Sequence, residues 1–270
     1  ALMGLPAYGL VAHTRTAFAR RAANVYLGAT VTGETLTLAG LLLAMGTAEP
    51  GAGALLLVAG LGVKAGLLPL HFWLPLAHPA APAPASAVLS GTMIKAGLLG
   101  WLRFLPLGEA ALPGPGTALF LLGLAGAFLA VIAGLGQRDP KTVLAYSSIS
   151  QMGWLAAAVG AGLLAPGAWA GLQVAVLAYA LHHGLAKGAL FLSTAVVAPW
   201  PTTRLGRVAL GAGLVLPALA IAGLPGTSGA AAKTGLKQAF APLPGAIGTD
   251  PAQLLGLGAA ATTLLMVRFL

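Results

Sequence analysis

A chain of 270 residues with 58% hydrophobic and only 7% charged residues cannot clothe a soluble surface, since ordinary globular domains carry about 25% charged residues. The net charge of +9 would suggest nucleic acid as a partner in a soluble protein; here it is read as marking loops, and no nucleic acid is expected. With no cysteine, disulfides, iron–sulfur clusters and thiolate metal sites are excluded.

The apolar residues come in long runs, such as Val208–Leu224 and Leu254–Val267, without alternation of apolar and polar. That pattern predicts membrane-spanning helices rather than a barrel. Ala1–Ala12 reads as the tail of a span, so the chain is expected to begin inside a helix, as a piece of a longer protein truncated on its N-terminal side. The basic loop His13–Arg21 follows. A second span covers Ala22–Met45, and a third, Gly53–Pro75, is interrupted by Pro69. After the proline- and alanine-rich loop His78–Pro84 come spans at Ala85–Leu105, Thr117–Gly136, Pro140–Leu164 and Trp169–Val197. The eighth, Val208–Phe240, is broken at Gly223–Gly229, and the ninth is Ala252–Leu270. The expected fold is an all-α polytopic membrane protein of about nine helices, two of them broken.

Alternating the loops between the two sides separates the charges. Arg15, Arg20, Arg21, Arg138, Lys141, Arg204, Arg207 and Arg268 fall on one side, here side A. Arg103 falls on side B with Glu49, Glu109 and Asp250. The excess of Lys and Arg predicts that side A is cytoplasmic, including the loops Arg15–Arg21, Arg138–Lys141 and Arg204–Arg207, for a multi-pass protein of the inner (plasma) membrane. The broken spans lie five spans apart, and interrupted helices at corresponding places point to inverted repeats with a site at mid-membrane.

Several charges fall within spans, where each costs about 2.5–3.5 kcal/mol on insertion scales. Lys64, Lys95, Lys187 and Lys233 lie on four different helices, with His182 and His183 beside Lys187, Lys237 one turn beyond Lys233, and Glu34 in the second span. A buried lysine exchanges its proton far more readily than an exposed one, and histidine titrates near neutrality unaided. A file of such groups is what proton conduction through a membrane requires. Each has a plainer reading. Lys64 and Lys95 snorkel; His183 and Lys187, one turn apart on one face, make helix-packing hydrogen bonds. Glu34 bonds a serine or threonine, and His71 and His78 cap backbone beside the break and the proline loop. Asp139 before Pro140 reads as a helix N-cap. Tyr146, Ser147, Ser148 and Ser150 line a wet path or pack helices through small polar contacts.

The residues also carry a resemblance. Lys64-Ala65-Gly66-Leu67-Leu68-Pro69-Leu70-His71-Phe72-Trp73-Leu74-Pro75 resembles the broken seventh helix of the proton-conducting, antiporter-like membrane subunits. These occur in respiratory complex I, membrane-bound hydrogenases, formate hydrogenlyase and Mrp-type cation/proton antiporters. The continuation Leu76–Ala87 looks most like the hydrogenase and formate hydrogenlyase branch. Ser90–Gly97 is similar to the family's eighth helix, Asp139–Gly153 to its tenth, His182–Leu192 to its eleventh and Gly223–Lys233 to its broken twelfth. The resemblance implies two inverted five-helix repeats: an incomplete first repeat at residues 1–107 (family helices five to eight) and a second at 108–270 (nine to thirteen). It implies proton transfer by Lys64, Lys95, His183, Lys187 and Lys233, the last opening to side B, with no cofactor in the chain. Partners would be the lipid bilayer and other membrane subunits of a respiratory or hydrogenase-like complex.

One departure concerns an acid. The family glutamate that pairs with the lysine at the Lys64 position aligns to Ala1 or just before it, so Glu34 is expected to stand in as the partner of Lys64. An aspartate often follows the family's equivalent of Pro75, where this chain has Leu76, and Ala230-Ala231-Ala232 replaces the more usual aromatic before Lys233. The leading expectation is a proton-translocating subunit of a redox-driven complex. The alternatives are an Mrp-type cation/proton antiporter subunit, a non-conducting structural subunit and, more weakly, a quinone-binding membrane protein.

Overall fold

The apolar runs are helical in the computed structural model, which describes residues 4–46, 50–196, 202–243 and 250–270. In chain order the helices are α1 (Gly4–Val11), α2 (Ala17–Gly46), α3 (Pro50–Ala65), α4 (Leu74–Ala80), α5 (Ala83–Val88), α6 (Ile94–Phe104), α7 (Pro113–Leu135), α8 (Pro140–Leu164), α9 (Trp169–Ser193), α10 (Arg204–Ala222), α11 (Ser228–Phe240) and α12 (Pro251–Phe269). A π-helical turn, Leu89–Met93, joins α5 to α6 into one continuous rod. There are more segments than the nine helices expected because the broken spans divide into separate halves. Six helical stretches are long and apolar enough to cross a membrane. The 25-residue α8 is not one of them, since Ser147, Ser148, Ser150 and Gln151 lower its hydropathy. No strand occurs among the described residues.

Two loops are shorter than the sequence suggests. Helix α2 starts at Ala17, because the Thr16 hydroxyl caps it by accepting from Ala19 N–H at 3.1 Å. Arg20 and Arg21, expected in the basic loop, therefore lie in the first turns of α2. The expected loop His78–Pro84 is mostly helical, shrinking to Ala81-Pro82. Pro82 forces the preceding Ala81 into an extended conformation, whereas Pro84 suits the first turn of α5 and is absorbed there.

Helix α8 is the central pillar, flanked by α4, α6, α7, α9 and α12 and buried from Ser147 to Leu163. Glycines bring the backbones of α7 and α8 together. A Cβ on Gly123 would lie 2.5 Å from Ala157 N, and one on Gly153 would lie 2.5 Å from Gly123 O. The same small-residue packing joins α2 to α3, where a Cβ on Gly60 would lie 2.5 Å from Thr37 N. Close backbone approach of this kind is the usual source of helix association in lipid, where apolar burial gives little gain. The ends are tied as well: Arg268 Nη2 donates to Gln137 O at 2.7 Å, and Leu112 N–H to Leu163 O at 2.9 Å. These bonds hold the end of α12 beside the α7–α8 loop, and the start of α7 beside the end of α8.

Both expected breaks are present. Helix α3 stops at Ala65, and Gly66 turns the chain at φ +75°. Trp73 Nε1 reaches back across the break to Val63 O at 2.8 Å, and α4 then begins at Leu74. Helix α10 stops at Ala222, with Gly223 in the left-handed region at φ +92° and Leu224 N–H bonded to Leu219 O at 3.0 Å. That is a glycine C-cap in which the bond satisfies a carbonyl the helix leaves open. Thr227 then caps α11, its hydroxyl oxygen accepting from Ala230 N–H at 3.3 Å. Asp139 caps α8 as expected, accepting from Thr142 N–H at 2.7 Å.

Candidate functional site

The polar groups of the interior gather on α8 and the helices around it. Lys187, fully buried on α9, donates to Leu144 O of α8 at 3.0 Å. The Ser148 hydroxyl donates to the same carbonyl, also at 3.0 Å. Ser148 shares a 2.7 Å hydrogen bond with Ser90, which sits in the π-helical turn. Lys95, just beyond that turn, donates to Ser90 O through a short hydrogen bond. Three helices thus bring two lysines onto one string of hydroxyls and carbonyls: Lys95, Ser90, Ser148, Leu144 O, Lys187. A π turn is a rare element frequent at functional sites; here it carries Ser90, which meets Ser148.

His183, one turn before Lys187, is also fully buried, and neither of its ring nitrogens has a hydrogen-bond partner among the described residues. It lies within electrostatic range of Lys95, Lys187 and His182. Buried polar atoms are nearly always paired, so unpaired nitrogens amid lysines suit a group that changes partners. His182 turns the other way on α9. Its Nδ1 lies 2.9 Å from the Ser228 hydroxyl at the start of α11, and it is within electrostatic range of Lys233 and Lys95. Lys233 donates to Ile221 O at 2.9 Å and to Ala222 O at 2.8 Å. Those carbonyls form the open C-terminal end of α10, which carries partial negative charge.

Lys64 and Glu34 stand apart from this string as an ion pair. Lys64 Nζ lies 3.3 Å from Glu34 Oε1, and each side chain is 24% exposed. They line a cleft of about 490 Å³ between α2 and α3, whose other polar walls are Thr30, Thr35 and Thr37. Ala65, next to Lys64, packs against Gly97 of α6, two residues beyond Lys95: a Cβ on Gly97 would lie 2.6 Å from Ala65 N. The structure therefore brings Lys95, His183 and Lys187 together, reaches Lys233 by way of His182, and sets the Lys64–Glu34 pair alongside. Ala1 and Glu49, which entered the sequence argument, lie outside the described residues.

Sequence reasoning gave no role to Ser90 and left His182 out of the leading set. Ser90 carries no sequence signal, because its value lies in a contact with a residue 58 positions away. A second buried network runs from Tyr179 OH to Gln151 Oε1 at 2.6 Å and from Gln151 Nε2 to Thr262 Oγ1 at 3.1 Å. It links α9, α8 and α12. Asp139, expected to be structural, caps α8 and also accepts from the Thr142 hydroxyl at 2.8 Å.

The comparisons with known proteins identify the family and the fold. The family described as "NADH:quinone oxidoreductase/Mrp antiporter, TM" matches residues 25–241. The hydrogenase-4 component F homolog of Methylacidiphilum infernorum (isolate V4) is 36% identical over 184 residues, covering 64% of this chain and 37% of that protein. NADH-quinone oxidoreductase subunit N of Desulforudis audaxviator (strain MP104C) is 36% identical over 189 residues, covering 64% of this chain and 36% of that protein. Among solved structures, a chain of the Mrp complex from Dietzia sp. DQ12-45-1b superposes with a TM-score of 0.81 at 24% identity, over 99% of this chain and 54% of that one. The chain thus spans little over a third of the length of either relative. With the family's sequence pattern covering most of its length and the same fold beneath it, this chain belongs to the NADH:quinone oxidoreductase/Mrp antiporter membrane family.

Proposed function

We propose that the chain is a proton-translocating membrane subunit of a redox-driven complex, of the NADH:quinone oxidoreductase or hydrogenase type. Protons move along Lys64, Lys95, His183, Lys187 and Lys233, with Glu34 as the counter-charge of Lys64. The observation that carries this reading is the string Lys95–Ser90–Ser148–Leu144 O–Lys187 across α6, α8 and α9. Both lysines donate to main-chain carbonyls, and the Ser90–Ser148 hydroxyl pair lies between those carbonyls, so the string fixes the lysines on one polar seam that water must complete as a path. Water entering beside such groups completes a path that side chains alone leave open. A change of charge in a neighbouring subunit, driven by electron transfer elsewhere, would shift which lysine holds the proton.

The two breaks support a division into two inverted repeats, at residues 1–107 and 108–270, each contributing one half of the path. The sidedness follows from charge: Arg15, Arg20, Arg21, Arg138, Lys141, Arg204 and Arg207 face the cytoplasm, and Lys233 opens to the opposite side of the cell's inner membrane. Partners are the other membrane subunits of the complex.

The test is proton flux in proteoliposomes that hold the complete complex, comparing wild type with Lys64→Ala and Lys187→Ala. Loss of pumping by both variants, with assembly and electron transfer retained, is the expected outcome. Undiminished pumping in both would reduce the chain to a structural role and put the proton path in another subunit.

A further inference from the structure

A buried histidine also lies outside this path. His78, in the last turn of α4, is completely inaccessible to solvent, and neither ring nitrogen has a hydrogen-bond partner among the described residues. Its ring stacks on Phe191 of α9, with centroids 4.3 Å apart and planes 15° apart. Phe191 is one turn beyond Lys187 on the same face of α9, so the stack holds the imidazole beside the Lys187 end of the string. His78 lies within electrostatic range of Lys187, Lys95 and Lys141. Lys141, in the first turn of α8, is only half-buried and donates to Ala81 O at 2.7 Å, three residues from His78. The backbone here is pinned, since the Ser86 hydroxyl donates to His78 O at 2.9 Å.

A histidine kept for packing would be expected to satisfy its nitrogens or to be replaced by an apolar ring, because an unpaired buried polar atom costs about 1–3 kcal/mol. His78 does neither, and the charges of both half-buried Lys141 and fully buried Lys187 act on it. We infer that His78 is a further proton-carrying residue, forming with Lys141 the entry from the α8 N-terminal side of the bundle to Lys187. The proton passes from Lys141 to one ring nitrogen of His78, leaves from the other toward Lys187, and a ring flip or ordered water resets the imidazole. Atoms and charge balance at each transfer: one N–H bond breaks as another forms. The fixed Ser86 bond holds the backbone, and the Phe191 face holds the ring between transfers. This inference rests on the proposed function, since it adds an entry to that path.

The experiment uses the complete complex in proteoliposomes and compares wild type, His78→Phe, Lys141→Arg and Lys187→Ala for proton uptake and redox turnover. His78→Phe keeps the stack on Phe191 and removes both nitrogens. It is expected to slow uptake by about 10²-fold, the usual contribution of one positioned proton-transfer group. Lys141→Arg keeps the charge and the bond to Ala81 O but replaces a group that releases its proton with one that does not, so it is expected to slow uptake as well. If Lys187→Ala stops pumping while His78→Phe and Lys141→Arg pump normally, the entry is overturned and the central string stands. If Lys187→Ala itself pumps normally, the string and the entry fall together. Should His78→Phe fail to assemble, Lys141→Arg decides alone: slowed uptake supports the entry, and full activity overturns it.

Discussion

The two breaks balance a lysine's charge in different ways. At the first, Lys64 faces a carboxylate, Glu34, in a cleft that leaves both side chains about a quarter exposed. At the second, buried Lys233 donates, among the described residues, to the two terminal carbonyls of α10, Ile221 O and Ala222 O, and to no carboxylate. A carboxylate supplies a full opposite charge; a helix C-terminus supplies partial charges of about half a unit that reach no further than the last turn. Moving a proton at the first break means disturbing an ion pair. At the second it means changing hydrogen bonds within a fixed backbone frame. The same topological device therefore gives two sites with different electrostatics.

The comparison can be broken at the lysines themselves. Lys233→Ala removes the proton carrier and leaves two buried carbonyls without a donor. Pumping by the complex is expected to fall by about 10²-fold or more, with a stability loss of about 1–3 kcal/mol measured by denaturation of the purified complex. A Lys233→Ala complex that pumps at the wild-type rate would make the second break purely architectural.

A smaller effect is expected at the first break. Glu34→Gln removes the carboxylate while keeping shape, and should lower flux by about fivefold, in line with a coupling of about 1 kcal/mol between contacting residues. If the two act as one unit, Glu34→Gln in a Lys64→Ala background changes nothing further. Additive losses in that double-mutant cycle would show that Glu34 does not work through Lys64.

The hinge glycines sharpen the contrast. Gly66 and Gly223 both have positive φ, so alanine at either should cost about 1–2 kcal/mol of stability. Their functional consequences should differ. A Cβ at Gly223 would lie 3.0 Å from Lys233 Cδ and 3.3 Å from Nζ, pushing the lysine off its carbonyls. A Cβ at Gly66 would meet only Leu74 Cδ2, at 3.5 Å, and Ile149 Cγ1, at 3.9 Å. Gly223→Ala is therefore expected to slow flux, and Gly66→Ala to leave it near wild type once the protein is folded. Equal effects on flux would erase the distinction.

The smallest effects concern what holds each break open. Thr227→Ala removes the cap of α11, and Trp73→Phe removes the bond from Nε1 to Val63 O. Each should lower stability by about 1 kcal/mol, read from thermal unfolding, without altering flux.

How much of this was legible in the sequence follows from the range of each interaction. The spans, the two breaks and the Asp139 cap are local, fixed by apolar run length, turn residues and N-cap chemistry within a few residues, although the first break, expected at Pro69, already begins at Gly66. The cost of charge in a membrane marked Lys64, Lys95, Lys187 and Lys233 as unusual wherever they pointed. The His78–Pro84 segment differs from the expected loop because its clustered prolines read as breakers, although Pro84 fits a first helical turn as Pro140 does.

Partnership was decided by the tertiary structure. That Glu34 meets Lys64 across 30 residues, that Ser90 meets Ser148 across 58, and that His78 lies against Phe191 and near Lys187 depend on how glycine seams and the π turn bring the helices together. The sequence alone determined an α-helical membrane protein with charges it must use or neutralise. Only packing decided which of those charges share a path, because hydrogen bonds act over about 3 Å while the residues that make them lie tens of positions apart.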